Sequence, residues 1–122
     1  MNPTHALRIA ALTGFLAVAL GAFGTHGLKH LLEANSQTGT WQTAAHYHLV
    51  HAVVLLVLAL RTTVARLPFA LFGAGILVFS GSLYLLAVTN VRWLGAITPI
   101  GGACLVAGWL VLAFCPSVTS AK

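Results

Sequence analysis

The sequence predicts an all-α fold, a four-helix transmembrane bundle of helical-hairpin topology with a kink near Pro99. Three observations predict it. Of 122 residues, 59% are hydrophobic and 6% are charged, whereas a soluble domain carries roughly a quarter charged residues. Mean hydropathy is +0.96, too apolar for a chain that must cover itself with a polar surface. The apolar residues gather into four runs, about 7–28, 44–60, 67–89 and 93–114, each near the ~20 residues that cross a hydrocarbon core. Together they make residues 1–122 a single integral membrane domain.

The first run opens with Arg8, and Ala17-Val18-Ala19 loosely resembles a signal-peptide cleavage site. The apolar run continues well past that point, so the reading is a retained helix. Ala10, Gly14, Ala17, Gly21 and Gly24 recur at spacings of four and three. They form a smooth seam where a second backbone can approach, which is how helices associate in lipid.

The connector KHLLEANSQTGTWQ, residues 29–42, is the one polar loop and holds the sole acidic residue, Glu33. The other connectors, RTTVAR and NVR, are short enough to make neighbouring helices antiparallel. The net charge of +5 is spread over six single basic residues. No patch exists to neutralise phosphates, so nucleic acid is excluded as a partner. Arg8, Arg61, Arg66 and Lys122 fall on one side, Lys29 and Arg92 on the other. The positive-inside rule puts both termini in the cytoplasm, in a multi-pass protein of the inner (plasma) membrane.

In the second run, counting from Arg61, His51 sits about 15 Å up the helix, near the bilayer midplane. Tyr47 is one turn further out, with His48 on the same side. His30, His46 and His48 are expected at the membrane interface, and His26 ends the first run. Ser80, Ser82 and Tyr84 occupy the outer half of the third run. Glycines at 73, 75 and 81 there, and at 95, 101, 102 and 108 in the fourth, fit close helix packing. In the fourth run, Pro99 lacks an N–H and crowds the carbonyl of Gly95, with Thr98 beside it. Cys104 and Cys115 share this run, about 16 Å apart along a helix, which rules out a disulfide between them. All four runs thus bring polar groups to one half of the membrane.

LGAFGTHGL (20–28), YHLVHA (47–52), FSGSLYLLA (79–87), TPIGG (98–102) and GW (108–109) occur in that order. In this the chain resembles the YgdD-type family of small bacterial inner-membrane proteins, a domain of unknown function with an animal transmembrane relative. The resemblance implies four transmembrane helices and supplies no catalytic residues. Its matching polar positions are His26, Tyr47, His51, Ser80, Ser82, Tyr84, Thr98 and Pro99. His30, His46 and His48 stand outside that pattern.

Ionisable groups inside spans usually face the bundle interior and mark a site or a pathway. The leading expectation is a pocket in the outer half, built from His51, Tyr47, His26, Ser80, Ser82, Tyr84 and Thr98, that binds a membrane lipid or small solute. A second reading is an accessory subunit, paired with another membrane protein or a second copy, whose polar groups are structural only. A third is a metal or haem held by His26 and His51, since imidazole suits several transition metals. No cofactor is the favoured expectation, because HExxH and CxxC motifs are absent. Enzymatic chemistry is not expected, because a Ser nucleophile with a His base would lack an orienting acid.

Overall fold

The computed structural model describes residues 1–114; Cys115 and Lys122, which entered the disulfide and topology readings, lie outside them. The described chain is helical: α1 (Pro3–Thr25), α2 (Lys29–Ala34), α3 (Thr38–Ala59), α4 (Arg66–Gly75), α5 (Gly81–Thr89) and α6 (Thr98–Phe114). A π-helical turn, Ile76–Ser80, joins α4 to α5, and a 3₁₀ turn, Arg92–Ala96, leads into α6. Four helical stretches are long and apolar enough to cross a membrane: Pro3–Thr25, Thr38–Ala59, Arg66–Thr89 and Arg92–Phe114. The fold is therefore all-α, as the composition predicts.

Local chemistry sets the ends. The Thr4 amide donates to Asn2 Oδ1 at 2.9 Å, and Pro3 follows the cap. Side-chain capping plus a proline whose missing N–H has no partner to lose is a strong helix start. It carries α1 further toward the N-terminus than the apolar run alone suggests. At the far end of α5, Asn90 adopts φ 57°, the left-handed conformation that asparagine tolerates at helix ends.

The interruption expected at Pro99 is present and takes the form of a helix start. The fourth span changes from a 3₁₀ turn to α-helix just before it, and Pro99 falls in the first turn of α6. There its absent N–H costs no intrahelical bond.

α3 is the hub. α1 and the third span both pack along it. α6 seats on α4 and the π turn rather than on α3. The α1 contact runs along Ala6, Ala10, Ala17 and Gly24, all buried. Gly14 meets nothing and Gly21 barely reaches Ala45, so only part of the expected seam is used. At Gly24 a methyl group would run into the Trp41 indole, whose Nε1–H donates to the Leu20 carbonyl at 2.9 Å.

The polar connector is anchored to the third span. Asn35 Nδ2 donates to the carbonyls of Ala87 at 3.0 Å and Val88 at 3.2 Å, and Gln37 Nε2 donates to Asn90 Oδ1 at 3.1 Å. The two Asn35 bonds satisfy carbonyls in the last turn of α5. Asn35→Ala is expected to lower stability by about 1–2 kcal/mol. Helicity followed through an SDS titration measures it, and a change below a few tenths would show that the connector is not anchored.

Two apolar clusters result. One gathers Leu55, Leu58, Phe69, Phe72, Ile76 and Leu105; the other holds Leu32, Trp41 and Ala87. The buried polar side chains His48, His51, Ser80 and Ser82 lie along α3 and the third span between those two sets of residues.

Candidate functional site

Within that polar belt, each side chain has a partner. His51, 5% exposed, has its Nδ1 2.8 Å from the Tyr47 carbonyl. A carbonyl only accepts, so Nδ1 carries the hydrogen and Nε2 is left as an acceptor. The Trp109 indole, which only donates, fills it at 3.1 Å. The assignment of the hydrogen follows from these partners. Trp109 is 48% exposed on a membrane span, where lipid offers its N–H no acceptor. This bond fixes the register of α6 against α3. Phe72 packs against both rings, 5.7 Å from His51 and 5.4 Å from Trp109.

Ser80 Oγ donates to the Ala44 carbonyl at 2.8 Å, joining the π turn to α3. Ser82 and Thr98 hydroxyls meet at 2.7 Å, joining α5 to α6. Among the described residues, no buried side-chain nitrogen or oxygen lacks a hydrogen-bond partner. His51, Ser80, Ser82 and Thr98 thus act as ties between helices, and neither of the cavities described below is lined by His51. Tyr47, 41% exposed, packs on Phe79 with ring centroids 4.7 Å apart and planes tilted by 47°.

His48 is where the structure departs most from the sequence expectation. It is 5% exposed, inside the protein rather than at the interface. Its Nδ1 lies 3.0 Å from the Tyr84 hydroxyl. The i, i+3, i+7 spacing of His48, His51 and Leu55 could have revealed it, since those positions share one buried helix face.

His48 and Tyr84 line a groove of about 440 Å³ between α1 and the third span. α3 closes its back, and its walls include Ile9, Leu16, Ile76 and Leu77. Gly73 and Gly81 also line it, and a methyl group added to either would meet nothing within 4 Å. The volume falls within the range of small-molecule sites, which are mostly apolar with a few placed polar groups. A second cavity of about 250 Å³ lies where α1 ends and α3 begins, lined by Lys29, Glu33, Trp41 and Gln42.

His26 is exposed at the end of α1, away from His51. The seam turns toward α3 and leaves His26 outside, so the two imidazoles proposed as a ligand pair are not brought together. Among the described residues, no three of His, Cys, Asp or Glu gather as metal donors.

Residues 20–102 match the family described as Protein of unknown function (DUF423). The chain belongs to this family. The UPF0382 membrane protein of Staphylococcus epidermidis is 47% identical over 108 residues, covering 85% of this chain and 88% of its own. That of Haemophilus influenzae is 43% identical over 113 residues, covering 88% and 90%. The UPF0382 inner membrane protein YgdD of Escherichia coli is 38% identical over 117 residues, covering 92% and 88%. No solved structure matches the chain. The family's names and the four apolar helices agree on an integral membrane protein. Its matched region includes His26, His48, His51, Ser80, Tyr84 and Thr98, while Ile9, Thr13 and Leu16 of the groove and Trp109 lie outside it.

Proposed function

We propose that this protein is a non-catalytic membrane protein that holds one lipid-soluble molecule in the groove between α1 and the third span. The carrying observation is the groove itself: an apolar cleft of about 440 Å³ whose inner wall includes a buried imidazole hydrogen-bonded to a half-buried phenol. Apolar walls admit a hydrocarbon chain, and the His48–Tyr84 pair orients whatever polar atom accompanies it. The polar residues outside the groove hold the helices in place around it. Both termini are cytoplasmic in this reading, which sets Glu33 and the α2 connector on the outer face.

Gly81 supplies the test. Gly81→Leu fills the groove without meeting any atom at its Cβ. It also replaces a poor helix former with a good one, a gain of up to about 1 kcal/mol in a helix. The variant is expected to fold and to lose the bound molecule. Native mass spectrometry of protein released gently from membranes reads this directly. The wild type is expected to carry one lipid-soluble adduct, and Gly81→Leu, with an unchanged melting profile, none. Equal retention by both proteins would show that the groove is not the site.

A further inference from the structure

We propose that the cavity of about 250 Å³ where α1 ends and α3 begins is a headgroup site for a zwitterionic phospholipid, with Lys29 taking its phosphate and Glu33 its ammonium. The site is separate from the groove and does not depend on it.

The placement of the two charges carries the inference. Lys29 opens the six-residue α2, and Glu33, the sole acidic residue of the sequence, lies in its last turn. A helix dipole favours the opposite arrangement, an anion at the start and a cation at the end. Lysine before glutamate is also the weaker order for an i, i+4 ion pair. Among the described residues, neither side chain has an ion pair or a hydrogen bond. Helix stability therefore accounts for neither charge, yet both line the cavity. An anionic phospholipid would satisfy Lys29 and set like charge against Glu33. A zwitterion gives each residue a charge-assisted hydrogen bond.

The rest of the cavity suits a lipid better than a free solute. Its floor includes Leu32 and Trp41, both buried. The indole N–H is already given to the Leu20 carbonyl, so the ring presents apolar surface. Thr38 and Gln42, one turn apart on α3, are exposed and line the same cavity, with donors for phosphate or ester oxygens. Two membrane spans end here, at Thr25 and Thr38, the level at which headgroups stand. An acyl chain has room beneath: Gly21 lines the cavity, and Gly14, two turns down the same face of α1, meets nothing within 4 Å. Exposed ion pairs are worth little, so this lipid exchanges and is lost when the protein is released from the membrane. Its binding is read at equilibrium.

The test offers the protein in detergent dihexanoyl-phosphatidylethanolamine and dihexanoyl-phosphatidylglycerol at equal concentration, and counts each bound lipid by native mass spectrometry. The acyl chains are identical, so the ratio reports the headgroup. The wild type is expected to bind the ethanolamine lipid about three- to fivefold better, the scale of one well-placed exposed ion pair. Glu33→Gln is expected to abolish that preference. Lys29→Gln is expected to weaken both lipids, because both carry the phosphate. Both side chains are exposed, so both variants are expected to fold. Gly81→Leu, with its groove filled, is expected to keep the wild-type preference. No preference in the wild type, or one that survives Glu33→Gln, would overturn the proposal. Loss of the preference in Gly81→Leu would move the selectivity to the groove and overturn it as well. Free O-phosphoethanolamine competing as well as the lipid would give the site to a soluble zwitterion and overturn the lipid assignment.

Discussion

Gly101→Ala is expected to destabilise the protein by about 2–3 kcal/mol, while Gly102→Ala one residue away is expected to be nearly neutral. At Gly101 a methyl group would run into the backbone nitrogen of Phe79 and lie 2.7 Å from its Cα. That is main chain of the π turn, which cannot rotate aside as a flexible side chain does. Overpacking of this kind forces the helices apart, and in lipid, close packing is the principal source of helix association. At Gly102 the nearest atoms belong to the Phe79 ring at 3.6 Å, an ordinary contact, and alanine is the better helix former. Denaturation in SDS, followed by helicity, separates the pair. Equal effects at the two positions would mean that α6 does not cross the π turn at Gly101.

His51→Ala is expected to cost about 3 kcal/mol. Two losses add. The Trp109 N–H, left without its acceptor on a membrane span, costs on the order of 1–3 kcal/mol. The ring that packs on Phe72 and Trp109 leaves a void in addition. A double-mutant cycle with Trp109→Phe isolates the hydrogen bond, and a coupling of about 1 kcal/mol is expected. Retention of the bound molecule by whatever fraction of His51→Ala remains folded is also expected, because His51 does not line the groove. A thermally intact His51→Ala protein would contradict the structural role of this histidine.

The spans were legible because a bilayer demands length and apolarity, and residues 1–114 show both plainly. The depth count that set His51 at the bilayer midplane selected a residue that the structure ties to its neighbours on two sides. Pro99 was legible as a break, since its chemistry is local. What the sequence could not show was which faces meet. In lipid the outer face of a helix is as apolar as the inner one, so no hydrophobic stripe marks the core. That is why His48 reads as an interfacial residue until α1 and α5 are seen to cover it. It is also why the Trp109 partner of His51 was hidden: their bond joins α3 to a helix that packs elsewhere. The anchoring of Asn35 and Gln37 is another long-range pairing without a local signature. The π turn at Ile76–Ser80 sits in a run with no local break, and it is set by the fit of Ser80 to α3 and Phe79 to α6.

The most direct measurement is the set of nuclear Overhauser contacts made by the groove side chains in lipid nanodiscs. The expected result is cross-peaks from a bound alkyl chain to Ile9 and Leu77, reaching His48 and Tyr84 at the inner end, with no contact between Leu16 and Leu77. Direct Leu16–Leu77 cross-peaks, with none from a bound chain, would mean that α1 closes on the third span and that no ligand groove exists.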